Sequence, residues 1–207
     1  MSQSKTKLSK SKLKRSEIIE MAEQRFREYG YNKTTMAEIA DDLSMSAANL
    51  YRFFRNKQDI AAACAERCMG ELCVCLSVVV EKEGLTASDK LRAFVLEDIR
   101  YTHERAANEP KVNELIAIVT RERKEVILSK IGSQCELIAE ILKQGNESGE
   151  FSVADIEKTS RTIYSSLTLF EVPIFLPLFT KEQFDVMASD LVDLLLDGLK
   201  SRLKQEK

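Results

Sequence analysis

Helix breakers are scarce in this chain, with 3 prolines and 7 glycines in 207 residues. Ala, Leu, Ile, Glu and Lys dominate instead, and that composition favours an all-α protein. There is one histidine, His103, so a His/Cys zinc site has few candidates. No apolar run approaches the length of a membrane span. The first residues lack the apolar core of a secretory signal. We therefore expect a cytoplasmic chain with no membrane partner. A Gly-rich phosphate loop, an HExxH motif and a GxSxG elbow are all missing, so an enzymatic reading has nothing specific to stand on. We expect no catalytic residues, no cofactor and no metal. The five cysteines are odd in number, which argues against a disulfide framework. Cys64, Cys68 and Cys75 share roughly one helix face. Small core residues are the preferred reading, and a thiol or soft-metal sensor is the alternative.

Hydrophobic residues make up 44% of the chain, enough for a globular core in one or two domains. Charge is unevenly spread. Residues 1–57 carry 12 Lys and Arg against 7 Asp and Glu, a net of +5, while the remainder carries 19 against 26, a net of −7. A basic module on an acidic body is the pattern of a protein that meets nucleic acid at one end. Lys5, Lys7, Lys10, Lys12, Lys14 and Arg15 precede any acidic residue. Residues 1–11 read as a disordered basic tail, able to lie along phosphates or in the minor groove.

The segment from Thr34 to Lys57 carries the most information. Thr35-Met36-Ala37-Glu38 fits a capping box. Met36, Ile39, Ala40 and Leu43 then recur at helical spacing. Ser44-Met45-Ser46 breaks the pattern, and Ser46 can cap a second helix from Ala47 to Phe54. Leu50, Phe53 and Phe54 would pack inward. Ala47, Ala48, Asn49, Tyr51 and Arg52 would face out. This is helix-turn-helix geometry, in which the second helix enters the major groove. Ala47 and Ala48 permit close approach and can touch thymine methyls, while Asn49 and Arg52 can bond base edges. Thr34, Thr35, Tyr51 and Lys57 are suited to phosphate. A helical adaptor that packs against protein instead of DNA is the rival reading.

The same stretch resembles the DNA-binding domain of the TetR family of transcriptional regulators. The likeness rests on Ile18-Ile19, Ala22, Phe26, Tyr29-Gly30-Tyr31, Thr34-Thr35, Ile39-Ala40, Ser46, Leu50 through Phe54, and Lys57. It covers roughly the first sixty residues. Two positions depart from the family pattern: Ser44 at the turn and Ala48 in the recognition helix, where glycine is usual. Further on, Gly145-Asn146-Glu147-Ser148-Gly149-Glu150-Phe151 resembles a helix end and turn of TetR-family C-terminal domains.

Helical periodicity divides the rest of the chain. A first helix reads from Lys12 to Tyr29, stopped by Gly30. A long one follows from about Gln58 to Val80, with apolar residues toward both the basic module and the body, an arrangement that could carry motion between them. Thr86 to Asp89 can cap another reaching Ala107. Pro110 marks a break before a short helix with Leu115, Ile116 and Val119. A further helix spans about Arg121 to Ser148, and two more span Val153 to Phe170 and Lys181 to Leu203, with Pro173 and Pro177 between them. The expected organisation is a tail (1–11), a three-helix DNA-binding domain (12–57) and a helical ligand-binding and dimerisation domain (58–207).

The resemblance implies a homodimer paired through the last two helices, a double-stranded DNA operator, and repression relieved by a small effector. An apolar or amphipathic effector would sit in the C-terminal bundle. Its candidate contacts are Phe94, Tyr101, Ile116, Tyr164, Leu167 and Phe170, with His103 and Glu171 as polar anchors. Aromatics at helical spacing are nevertheless core more often than pocket.

Overall fold

The computed structural model describes residues 2–108, 111–172 and 175–200. Among them ten α-helices are present: α1 Ser2–Tyr29, α2 Met36–Asp42, α3 Ala47–Tyr51, α4 Lys57–Glu81, α5 Ala87–Asn108, α6 Val112–Glu122, α7 Lys124–Glu147, α8 Ile156–Ser166, α9 Thr168–Glu171 and α10 Lys181–Leu199. A 3-10 turn over Leu176–Leu178 holds Pro177. Pro110, Pro173 and the expected extension of the last helix to Leu203 lie outside the described residues.

Two compact units form, and neither is a simple stretch of chain. One comprises Met1–Met69 with Glu109–Leu128, the other Gly70–Asn108 with Ser129–Lys207. The expected boundary at residue 57 is therefore corrected. The first half of α4, all of α6 and the start of α7 belong with the basic module. The reason is apolar burial: Ile60, Ala61, Cys64, Leu115, Val119 and Val126 share one core with Ile18, Phe26, Ile39 and Leu50. Ile116 lies in this unit too, which removes it from the expected effector pocket.

Helix α1 begins at Ser2, whereas a disordered tail was expected up to residue 11. The segment contains neither Gly nor Pro, and Lys, Gln and Leu are good helix formers. Among residues 10–29 the first fully buried side chain is Ile18. Arg25 ties α1 to α2, bonding Asp42 at 2.6 Å and Glu38 at 3.1 Å.

The second unit packs around Leu76, Leu91, Phe94, Ile138, Leu142, Ile163, Phe170 and Phe184. Thr86 and Asp89 cap α5 as the sequence suggests, with Thr86 Oγ1 donating to Asp89 Oδ2 at 2.7 Å. The Glu150 carboxylate adds two bonds there, accepting from the Ala87 and Ser88 N–H groups at 3.0 and 2.6 Å. An anion at a helix N-terminus satisfies orphan donors and complements the dipole. Helix α10 turns Phe184, Ala188, Val192, Leu196 and Leu199 inward. Leu194 and Val186 point outward, 71% and 60% exposed.

The Gly145–Phe151 turn is built by close approach. The Phe151 ring lies on Gly145 so tightly that an added Cβ would sit 2.0 Å from Cδ2. Asn146 then clasps Val153, donating to its carbonyl at 2.8 Å and accepting from its N–H at 2.9 Å. Gly145→Ala should destabilise the protein by about 1–3 kcal/mol through displacement of the ring, more than the helix-propensity gain of about 1 kcal/mol. Urea denaturation reads this directly, and unchanged stability would contradict the contact.

Candidate functional site

The α2–turn–α3 element is assembled from local interactions. Thr35 Oγ1 accepts from the Glu38 N–H at 3.3 Å, and the Thr35 N–H donates to Glu38 Oε2 at 2.8 Å, completing the capping box. Helix α2 ends in a Schellman motif. Ser44 is left-handed at φ +51°, its N–H donates to Asp41 O at 2.9 Å, and the Met45 N–H donates to Ala40 O at 2.9 Å. Serine holds a conformation that favours glycine, at a strain of roughly 1 kcal/mol. Ser46 Oγ accepts from the Asn49 N–H at 3.2 Å and starts α3. Leu50 and Phe54 are buried and Phe53 is half-buried, as expected, although the helix ends at Tyr51 instead of Phe54. Ser46, Ala48, Tyr51 and Arg52 are exposed, while Ala47 and Asn49 are half-buried. This face carries an amide and a guanidinium beside small side chains, a set that can reach base edges.

Two of the expected phosphate contacts are corrected. Thr34 is 1% exposed and its hydroxyl donates to Gly30 O at 2.8 Å. Lys57 turns inward. Its ammonium donates to Tyr31 O at 2.8 Å and Thr34 O at 2.7 Å, and lies 4.2 Å from the Tyr31 ring centroid. Burial holds its pKa below the usual lysine range. Both residues therefore build the turn before α2. Thr35 stays at the surface, with its hydroxyl and N–H engaged in the cap.

In the second unit the candidate contacts separate. Phe94, Leu167 and Phe170 are core side chains. His103 meets the Phe184 ring edge-on at 4.4 Å, and burial lowers its pKa. Tyr101 and Tyr164 are half-buried. A cavity of about 500 Å³ in this unit is an open groove along α8, lined by Asp155, Glu157, Lys158, Arg161, Thr162 and Ser165, none of which was expected.

Tyr164 and Glu171 do come together, in a buried polar cluster. Glu171 Oε2 accepts from Lys130 Nζ at 2.6 Å and from the Tyr164 hydroxyl at 3.0 Å. Gln134 Nε2 donates to Asp98 Oδ1 at 3.0 Å, and both residues are fully buried. Asp98 Oδ2, Gln134 Oε1 and Glu171 Oε1 are buried without a hydrogen-bond partner. Asp98 and Glu171 lie within bonding reach, and two carboxyl groups can bond only through a shared proton. Burial, and then the Glu171 charge, push the Asp98 carboxyl up to about 8. Sequence periodicity holds the missed signal. Asp98 occupies a core position in the stripe Leu91, Phe94, Val95, Asp98, Ile99, and Gln134 does the same beside Ile131, Cys135 and Ile138.

Comparison with known proteins places both units. Residues 18–64 match the family described as bacterial regulatory proteins, tetR family, and residues 87–192, just over half the chain, match the tetracyclin repressor-like C-terminal domain. The chain belongs to the TetR family. No curated protein matches it. Among solved structures, a TetR-family protein of Mesorhizobium loti superposes with a TM-score of 0.75 at 17% identity, covering 92% of this chain and 98% of that one. SmeT, repressor of a multidrug efflux pump in Stenotrophomonas maltophilia, gives 0.66 at 19% identity, with 90% of each chain covered. The fatty acid degradation regulator FadR of Bacillus halodurans gives 0.64 at 22%, covering 91% and 97%. These likenesses show the TetR fold. No helix among the described residues is long and apolar enough to cross a membrane.

The alternative of a sensing cysteine helix finds little support on this TetR scaffold. Of the three cysteines on one face of that helix, Cys64 is buried in the core, Cys68 is half-buried and Cys75 is exposed, so they do not gather in one environment; on the other two cysteines, Cys73 and Cys135, burial raises the thiol pKa. No cluster of three metal-binding side chains occurs among the described residues.

Two predictions follow from the corrected sites. Lys57→Ala should destabilise the protein by about 1.5–3 kcal/mol, the range for hydrogen bonds from a charged donor, and leave the salt slope of DNA binding unchanged. A flattened slope with unchanged stability would return Lys57 to the phosphate-binding set. The second concerns Asp98, whose folded pKa of about 8 lies above the ordinary 3.8. The folded state retains a proton that the unfolded chain loses, so stability falls as pH rises from about 4 to about 8 and then levels. Asp98→Asn removes this dependence. Its Tm advantage over the parent should widen between pH 5 and 8, and a constant gap would refute the shared proton.

Proposed function

We propose that this TetR-family regulator is a cytoplasmic homodimeric repressor that a small effector releases from its operator. The observation that carries the DNA half is the α2–turn–α3 element. Caps at Thr35 and Ser46 and the Schellman turn at Ser44 orient a short helix whose exposed face is Ala48, Tyr51 and Arg52, with Asn49 half-exposed. Asn49 and Arg52 read base edges, Ala47 and Ala48 allow close approach, and Tyr51 and Thr35 meet the backbone. A net charge of +5 over residues 1–57 supplies the electrostatic attraction.

Dimerisation is supported by α10, which leaves Val186 and Leu194 largely exposed on a helix that already fills its own core. A two-fold dimer reads two half-sites about one helical turn apart, roughly 34–36 Å, or a multiple of that. The effector half is supported by the solved complex of SmeT with triclosan, a relative of similar fold. An effector that prefers the DNA-incompetent state lowers operator occupancy by the same coupling free energy.

Genomic pull-down of bound DNA identifies the operator. On that operator Asn49→Ala and Arg52→Ala should each weaken binding by about 1–3 kcal/mol and relax base preference, with Tm unchanged. Fluorescence anisotropy against operator and scrambled duplexes measures both effects. Equal affinity of parent and variants for the operator would remove α3 from the reading surface.

A further inference from the structure

The buried cluster of the second unit holds two carboxyls, Asp98 and Glu171, against the one ammonium of Lys130. Ionised, that cluster carries a surplus negative charge in an apolar core, an arrangement that burial penalises strongly. It also holds three acceptor oxygens without donors: Asp98 Oδ2, Glu171 Oε1 and Gln134 Oε1. A single shared proton neutralises the charge and bridges the two carboxyls. It leaves the Gln134 oxygen unsatisfied. A primary ammonium group brings one positive charge, three N–H donors and no acceptor. It matches the cluster in charge and in the number of open acceptors.

We propose that Asp98, Gln134 and Glu171 form the recognition site for an amphipathic primary amine, whose ammonium neutralises the surplus carboxylate while its apolar body enters the surrounding core. Phe94 and Val95 stand one turn before Asp98 on α5, and Phe170 adjoins Glu171, so apolar surface borders the cluster. The carboxylate charges of Asp98 and Glu171 reach the half-exposed thiols of Cys73 and Cys135 respectively and help to raise their pKa, so these two side chains stand near the cluster. The groups facing the carboxyls are Lys130, Gln134, Tyr164 and these two thiols, and none supplies a second cation. The inference rests on reading this unit as the effector domain.

The test is isothermal titration of the intact protein, without DNA, using n-octylamine, n-octanol and octyltrimethylammonium. Octylamine should bind at least tenfold more tightly than the other two, because the alcohol lacks charge and the quaternary ion lacks donors. Binding should release about one proton at pH 7, seen by varying the buffer's ionisation enthalpy. Affinity should rise about tenfold per pH unit between 6 and 7 and level off above about 8. Asp98→Asn should abolish both the preference and the proton release, and Gln134→Met should weaken octylamine about tenfold with the proton release intact. Equal affinities for the three probes, or undiminished octylamine binding by a folded Asp98→Asn, would overturn the proposal. Operator binding is measured separately. A protein that binds its operator but not octylamine refutes only the amine site, whereas one that binds octylamine with proton release but no DNA refutes only the regulator reading.

Discussion

One ammonium group holds the DNA-reading unit in register. Lys57 donates to the carbonyls of Tyr31 and Thr34, which lie in a turn and have no helical partner for those oxygens. A cation in the first turn of α4 opposes the helix dipole, so its position is explained by the carbonyls it satisfies. The same turn is held from another side by Glu114 of α6, which accepts from the Asn32 backbone and side chain at 3.2 and 3.1 Å. Gly30 closes α1 at φ +88° with its Cα facing that carboxylate. The turn leads directly into Thr35 and its capping box, so the direction of α2, and of α3 behind it, depends on Lys57 and Glu114. This also explains why α6, distant in sequence, belongs to the basic module.

Local chemistry was legible in the sequence wherever the interaction spans a few residues. The Thr35–Glu38 box, the Ser46 cap and the inward set of Leu50 and Phe54 all follow from spacing and side-chain type. What spacing cannot show is the side of a turn to which a long or hydroxylated side chain points. Thr34 and Lys57 carry the right groups for phosphate, yet carbonyls of the turn compete for them: the Thr34 hydroxyl bonds Gly30 O four residues back, and the Lys57 carbonyl partners lie 23 and 26 residues away. The start of α1 escaped for a different reason. A lysine-rich segment without apolar periodicity reads as a solvated tail, although nothing in its composition breaks a helix. The domain boundary was misplaced because α4 and α7 each supply residues to both units, so a division drawn between helices cannot fall in the right place.

The two units treat buried charge in opposite ways. In the reading unit carboxylates with little exposure meet cations: Glu23 pairs with Arg67 at 2.8 Å, and Asp59 with Arg123 at 2.8 Å. Each such pair can be replaced in principle by apolar side chains without loss of stability, so its use is to set geometry. In the second unit Asp98 sits at a core position with a neighbouring carboxyl and no cation of its own. An apolar residue there would continue the stripe of Phe94, Val95 and Ile99 and spare the desolvation penalty. A buried position that breaks the local pattern in this way is a place where strain collects.

That contrast bears on how a regulator of this kind can respond at all. A ligand shifts an equilibrium only by its differential affinity for two states, so the responsive site must be unsatisfied in at least one of them. The capped, ion-paired reading unit holds no buried carboxylate oxygen without a partner among its described residues and is suited to presenting α3 unchanged. The cluster around Asp98 and Glu171, with three buried acceptors awaiting donors, is the place where an added group gains most. Every donor supplied there relieves a desolvation penalty already present in the protein, so binding free energy is available before any new apolar contact is made.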